Sequence, residues 1–227
     1  MNKTVLFFGP YPKPITGQSI SFKETYDKFN FKKILFDTSR FGSNKILNSM
    51  DSFIRLPYYF LFKKIDIIYF TCSRTFLGSL KDIFLLFFSF LKKMKVVCHL
   101  HGADFSDFAR KNFVTRLIIE NLYLKIDRFI VLTEDMKEQF YFIDKKKIDV
   151  VENSFPSEFE NYKVDLNLKK NQILFLSNII ASKGIFVFLD IVDELLENNS
   201  KITVKIAGKF MADEELNTND TRKKFYK

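Results

Sequence analysis

Short runs of consecutive apolar residues recur along the chain. Between them lie longer stretches in which Leu, Phe and Ile return every three to four positions among Lys, Asp and Glu. A run too short for a helix and apolar throughout is what a strand shows when both of its faces are covered, as in a parallel sheet. Strands are therefore predicted at Val5–Gly9, Lys33–Asp37, Ile65–Thr71, Val96–Leu100, Arg128–Leu132 and Ile148–Val151. The periodic stretches predict helices at about Ser19–Phe29, Ser43–Lys63, Thr75–Lys93, Asp107–Lys125 and Glu134–Phe142. Strand and helix alternate as in repeated βαβ units, which predicts an α/β fold built on a Rossmann-like doubly wound parallel sheet.

After Val151 the pattern lapses into Glu152-Asn153-Ser154-Phe155-Pro156 and a charged stretch without periodicity, which reads as a linker. It restarts with a strand at Gln172–Ser177, a helix at about Lys183–Leu196 and a strand at Lys201–Ala207. The expected organisation is a complete domain at 1–155, a linker at 156–171 and an incomplete second Rossmann-like domain at 172–227. A single βαβ unit cannot cover both faces of its own sheet and is expected to be marginal by itself.

The chain has 227 residues, 47% of them hydrophobic and 28% charged, a globular composition. Its net charge of +9 is unevenly placed: residues 1–110 hold 17 Lys and Arg against 8 Asp and Glu, and residues 111–227 hold 19 of each. Phe occurs 29 times and Trp never, a bias that suggests AT-rich coding and a bacterial source. Cys72 and Cys98 lie inside apolar runs, make no disulfide framework, and fit a reducing cytosol. The apolar start at Val5–Phe8 turns at Gly9 and lacks the pattern of a secretory signal. The longest uncharged apolar run, Ile83–Leu91, is nine residues, where a membrane-spanning helix needs about 20.

Three places carry candidate chemistry. The first strand runs into Gly9-Pro10-Tyr11-Pro12-Lys13-Pro14-Ile15-Thr16-Gly17-Gln18, a proline-stiffened loop opening a helix. Ligands of open parallel sheets bind at strand carboxyl ends, and a glycine at a helix N-terminus lets amides approach an anion. A turn that merely needs a small residue reads equally well, and no G-x-G-x-x-G fingerprint is present. The fourth strand ends in His99-Leu100-His101-Gly102-Ala103-Asp104, which contains both histidines of the chain. Alternation puts His99 and His101 on one face: His99 reads as a buried core histidine, and His101 as a binding or proton-handling group at the strand end. Two histidines and one Asp lack the third ligand of a recognisable metal site. In the second unit, Ser177-Asn178-Ile179-Ile180-Ala181-Ser182-Lys183-Gly184 places an ammonium beside free amides at a helix start, a phosphate-binding arrangement; a solvated surface lysine is the plainer alternative.

In type and order these pieces resemble the retaining glycosyltransferases of family 4, whose GT-B fold pairs two Rossmann-like domains. The resemblance rests on the Gly9-to-Gly17 loop, Leu100-His101-Gly102, Val131-Leu132-Thr133-Glu134-Asp135-Met136, Val150-Val151-Glu152-Asn153, and the Ser177-Asn178 to Lys183-Gly184 unit followed by Ile206-Ala207-Gly208. It covers residues 4–208. The resemblance implies an N-terminal acceptor domain and a C-terminal domain for a nucleotide-sugar donor, with no other cofactor and no metal. It places Lys183 and Gly184 on the donor diphosphate, lets Gly17 bring the first loop near phosphate, and sets His101 beside the transferred sugar. Gln18, Gly102, Asp104 and Asn153 would line the acceptor side or the cleft. The implied reaction is retaining transfer to a lipid-linked or polysaccharide acceptor in bacterial surface-glycan assembly.

Two departures stand out. Relatives often carry an arginine five positions before the lysine, where this chain has Asn178. Their Glu-x7-Glu segment would lie past the second unit, and Glu214 and Glu215 do not reproduce it. A truncated chain, a non-catalytic remnant acting as a binding module, or one subunit of a split enzyme with a complementing polypeptide are therefore alternative readings. The positive charge of the first half suggests cytoplasmic residence with peripheral attachment to an anionic membrane. The candidate surface is Phe53–Lys64 and Phe84–Lys95, where apolar faces are flanked by Arg55, Lys63, Lys64, Lys92, Lys93 and Lys95. Ordinary packed helices with solvated lysines are the counter-reading. Nucleic acid is not expected as a partner, because the basic residues are scattered and no recognition motif accompanies them.

Overall fold

The computed structural model describes residues 3–153, 171–198, 201–212 and 216–226. The expected linker 156–171 falls outside these apart from Asn171, as do Glu214 and Glu215. The chain divides into two compact units, Met1–Glu160 and Asn161–Lys227.

In the first unit, β1 (Val5–Gly9), β2 (Lys33–Asp37), β3 (Ile67–Thr71), β4 (Lys95–His99), β5 (Arg128–Val131) and β6 (Ile148–Val150) form one sheet in the order β2-β1-β3-β4-β5-β6. Every neighbouring pair is parallel. The connections are α1 (Gly17–Lys28), α2 (Lys45–Phe62), α3 (Phe76–Leu91) and the pair α4 (Phe105–Arg110) and α5 (Phe113–Tyr123). This is a Rossmann-like α/β architecture.

Strand alternation sorts the apolar residues onto two faces. Leu6, Phe8, Phe36, Ile68, Phe70, Val96, Cys98, Phe129 and Val131 meet α2 to α5 in the larger core. Val5, Phe7 and Tyr69 meet α1 through Phe22, with Leu35, Val97 and Ile130 only partly covered. The cover is therefore uneven: among the described residues of this unit α1 packs on one face and four helices pack on the other. The close seating of α1 depends on Gly9, where a β-carbon would stand 2.5 Å from the Phe22 ring.

Two predicted helices differ in form. The stretch expected at Asp107–Lys125 is broken, because the Asn112 side chain accepts a hydrogen bond from the Thr115 amide at 2.8 Å and caps α5 as a separate helix. The stretch expected at Glu134–Phe142 is a 3-10 turn, Asp135–Phe140. Its final ring, Phe140, is buried against Phe105 and Phe129, which keeps this short segment tightly wound against the core. The third strand begins at Ile67, since the Asp66 carboxylate turns back to accept from the Thr4 amide at 2.8 Å.

In the second unit β7 (Gln172–Leu176) pairs in parallel with β8 (Thr203–Ala207), joined through α6 (Ile185–Asn198) and followed by α7 (Thr218–Phe225). The strand ends approach closely at Gly208, whose position leaves no room for a β-carbon against the Ser177 carbonyl oxygen.

Phe22 and Ser19 are the buried residues of α1. Replacing Phe22 with Ala removes the ring that fills the slot beside Gly9 and is expected to cost about 3–5 kcal/mol. Urea titration of the two proteins checks this; a loss under about 1 kcal/mol would mean that α1 is held elsewhere.

Candidate functional site

The carboxyl ends of the strands carry the candidate residues of the first unit. At the end of β1 the chain runs through a proline-rich loop that is tied down rather than loose. The Asp37 carboxylate accepts from the amides of Tyr11 and Ser39 at 3.1 and 2.8 Å. The Tyr11 hydroxyl donates to Asp27 at 3.1 Å. The loop ends in a reciprocal cap: Thr16 Oγ1 accepts from the Ser19 amide at 3.1 Å, and Ser19 Oγ accepts from the Thr16 amide at 2.9 Å. Gly17 and Gln18 supply the first amides of α1, and nothing lies within 4 Å of where a Gly17 β-carbon would be. That open approach is what an anionic or glycosidic ligand needs at a helix N-terminus.

At the end of β4, His99 and His101 lie on the same face with ring centroids 4.0 Å apart. His99 is buried and shares a hydrogen bond of 2.5 Å between Nδ1 and the Tyr69 hydroxyl. Its Nε2, and both ring nitrogens of His101, are buried without a hydrogen-bond partner in the structure. Buried polar atoms are normally satisfied, so these three imidazole nitrogens, unmatched among the described residues, can each take a hydrogen bond from water or a ligand group. A recess of about 340 Å³ opens beside His99, walled by Ser21, Glu24 and Thr25 of α1 and by Val151 and Glu152 beyond β6.

Beyond β3 the Arg74 guanidinium is ion-paired with Asp104. Gly102 makes this crossing feasible, because a β-carbon there would collide with the guanidinium. Arg74 also acts on His101: desolvation and then the nearby guanidinium pull the imidazole down to about 4 from 6.5. Burial, and then His101, pull His99 down to about 3. Both rings are therefore neutral at physiological pH, each offering one donor and one acceptor. Burial pushes the Tyr69 hydroxyl well above its ordinary range, so it stays protonated.

In the second unit the segment after β7 turns through Ala181–Lys183 and is closed by Gly184 in the left-handed conformation, φ 76°. A side chain there is strained, although no atom lies within 4 Å to obstruct it. The Lys183 side chain is exposed just before α6, and no described residue pairs with it. Asn178 is also exposed, one residue before the Ile179 amide bonds back to the Lys209 carbonyl at 2.9 Å.

Within the first unit, then, His101, Gly102 and Asp104 gather around Arg74, and Gly17 and Gln18 stand at the same carboxyl edge. Asn153 follows β6, four places from β1 in the sheet order. Lys183, Gly184 and Asn178 belong to the second unit. Sequence reading missed Arg74 and Tyr69. Arg74 follows a strand end, the position at which ligand loops fall, but nothing in a lone Ser-Arg-Thr distinguishes it.

No family model matches the chain, and no curated protein matches it. Among solved structures it is similar to the glycotransferase of kitacinnamycin, with 9% identity and a TM-score of 0.48 over 95% of this chain and 69% of that one.

The two depressed imidazoles make stability depend on pH with a definite sign. Unfolded, each histidine takes up a proton near 6.5; folded, not until about 3 and 4. Their contribution is present in full above pH 7 and is lost on acidification. Buried Asp82, raised by desolvation to about 6 from 3.8, acts oppositely between those values. Near pH 5 the unfolded chain thus binds a net one proton more, and stability is expected to fall by about 1.4 kcal/mol per pH unit. Denaturation from pH 7.5 to 4.5 checks this. The Asp82→Asn variant is expected to show roughly twice that slope, and a flat profile in both proteins would refute the assignment.

Proposed function

We propose that the chain transfers a glycosyl group from a nucleoside-diphosphate sugar to a hydroxyl of a glycan or lipid-linked acceptor, with retention at the anomeric carbon. The biological setting of this reading is bacterial surface-glycan assembly at the cytoplasmic side of the membrane. The observation that carries it is the neutral imidazole of His101 at the carboxyl end of β4, whose two ring nitrogens have no hydrogen-bond partner among the described residues. Sugars present several hydroxyls at close spacing, and each needs either a donor or an acceptor. The neutral His101 imidazole offers one donor and one acceptor and meets that need, whereas a charged one would offer donors only.

In the reaction, the bond from the anomeric carbon to the diphosphate oxygen breaks and a bond from that carbon to the acceptor oxygen forms. The acceptor proton passes to the departing phosphate, so no paired carboxylates are required. Negative charge grows on the leaving diphosphate, and a preorganised cation is worth most where charge develops. Lys183, exposed at the Gly184 turn and paired with no described residue, is assigned that part. His101 is assigned to a sugar hydroxyl near the reacting carbon. Asn178 supplies an amide where family relatives often add a second cation, so Lys183 bears the electrostatic role with less help.

Release of nucleoside diphosphate from a panel of nucleotide sugars, with and without lipid-linked oligosaccharide, tests the reading. Lys183→Ala is expected to lower kcat/KM about a hundredfold, and Lys183→Arg to keep a measurable part of it. His101→Ala is expected to lower kcat while calorimetric affinity for the free nucleoside diphosphate stays within about threefold. Absence of nucleoside-diphosphate binding by the wild-type chain would overturn the proposal.

A further inference from the structure

Helices α2 and α3 pack with an unusual distribution of residue types. The positions they bury include Ser49 and Ser52 on α2 and Ser79 and Ser89 on α3. Each of these hydroxyls donates to a carbonyl one turn back in its own helix, at 2.7–2.9 Å. Large apolar side chains point outward instead. Ile46, Met50, Ile54 and Leu61 recur at helical spacing on α2, with Ile54 74% exposed; Phe76, Leu80, Phe87 and Leu91 do so on α3, with Phe87 58% exposed. Contiguous exposed apolar surface on a water-soluble fold marks an interaction site.

The charges around these faces have one sign. The only acid of α2 is Asp51, held by Arg55 and Arg40, and the only acid of α3 is the buried Asp82. Exposed Lys63, Lys64 and Lys93 follow the two helices, and none pairs with a described residue. At the opposite end, between the N-termini of α2 and α3, lies a recess of about 160 Å³ that receives Lys45 and Lys81. Thr38, Ser49, Ser73 and Thr75 add hydroxyls to its wall, and no carboxylate lines it. Lys45 sits in the first turn of α2, where the helix dipole disfavours a cation. Thr75 precedes α3 without making a capping bond, so the first amides of α3 lack a side-chain cap. The Lys81 ammonium approaches the Phe8 ring at 5.6 Å and has no carboxylate within ion-pair distance. Burial pulls its pKa down, and the neighbouring Asp82 carboxyl offsets only part of that shift.

We infer that the α2–α3 face docks on an anionic phospholipid surface, with a lipid phosphate seated in the Lys45–Lys81 recess and the outward apolar side chains entering the acyl boundary. The small recess suits a phosphate group and no larger head. The flanking apolar rows suit a ligand whose polar end continues into hydrocarbon. Lys63, Lys64 and Lys93 then face the same negatively charged layer. A soluble phosphate would account for the recess but not for the apolar rows, and a second copy of this chain would bring the same positive charges together.

The inference concerns binding alone, so it stands or falls without donor, acceptor or sugar transfer. Flotation of the full chain with phosphatidylcholine vesicles, with and without phosphatidic acid, tests it at low salt. Strong binding is expected only with phosphatidic acid. Lys45→Ser is expected to weaken partitioning about fivefold, and Lys45→Ser with Lys81→Met about twenty-five-fold. Ile54→Asp with Phe87→Asp, both at exposed positions, is expected to abolish vesicle binding while circular dichroism stays unchanged. Three results would overturn the inference. The first is equal binding to both vesicle types, or none to either. The second is competition by inorganic phosphate with no effect of the Asp substitutions. The third is concentration-dependent dimerisation, lost on those substitutions, in a chain that ignores vesicles.

Discussion

The hydrogen-bonded placement of β1 between β2 and β3 is the constraint on which the first unit depends. Val5 pairs with Lys33 on one side and with Ile67 on the other, and the three strands run parallel. A parallel crossover is right-handed. Going from β1 outward to β2 therefore puts α1 on one face, and returning across β1 to β3 puts α2 on the other. Every later step continues in the same direction and adds its helix to the face of α2. The lopsided cover of the sheet follows from this order, as does the presence of helix N-termini on both sides of one carboxyl edge. The imidazole pair looks toward the side of α1, and the lysine recess lies among the N-termini of α2 and α3.

Polar groups at the two ends of the strands divide into those already satisfied and those that are not. Asp37, at the carboxyl end of β2, and Asp66 and Asp127, just before β3 and β5, accept backbone amides from Ser39, Thr4 and Val96 at 2.8–2.9 Å. These carboxylates lock loops to strands and have little capacity left for a ligand. His99 and His101 differ: the chain invests buried volume in two rings and leaves three of their four nitrogens unmatched. A buried polar atom left without a partner costs about 1–3 kcal/mol, so these nitrogens favour any water or ligand group that reaches them.

Much of this was legible in the sequence, for identifiable reasons. Val5-Leu6-Phe7-Phe8 and Ile67-Ile68-Tyr69-Phe70 are unbroken apolar runs because both sheet faces carry some cover, and such runs read as strands without ambiguity. The break before α5 was hidden because its cause is a single Asn112 side chain turned onto its own backbone, and an Asn amid helical periodicity reads equally well as a solvent-facing residue. The burial of His99 was legible from its place inside an apolar strand run. The neutrality of the two rings was not, since it comes from burial and, for His101, from Arg74, which is 27 residues away and is brought there by the β3–β4 pairing. The start of α6 just after Lys183 and Gly184 was legible from the restart of helical periodicity, whereas the left-handed turn at Gly184 was not read.

The direction in which α2 and α3 face was beyond sequence reading, for a physical reason that also explains their surface. A helical period states that one side differs from the other and does not state which side is in water. Ser49, Ser52, Ser79 and Ser89 can be buried at little cost because each hydroxyl is satisfied by its own helix. Their small size lets the helices lie close on the sheet, and that in turn forces the bulkier residues outward. Ile54, Leu61, Phe62 and Phe87 each forgo about 1.5–3 kcal/mol of burial in this orientation. Packing needs explain the serines; they do not explain why the outward positions are Ile, Leu and Phe when Lys or Glu would fit the same backbone. That choice is what the proposed docking on an anionic lipid surface accounts for.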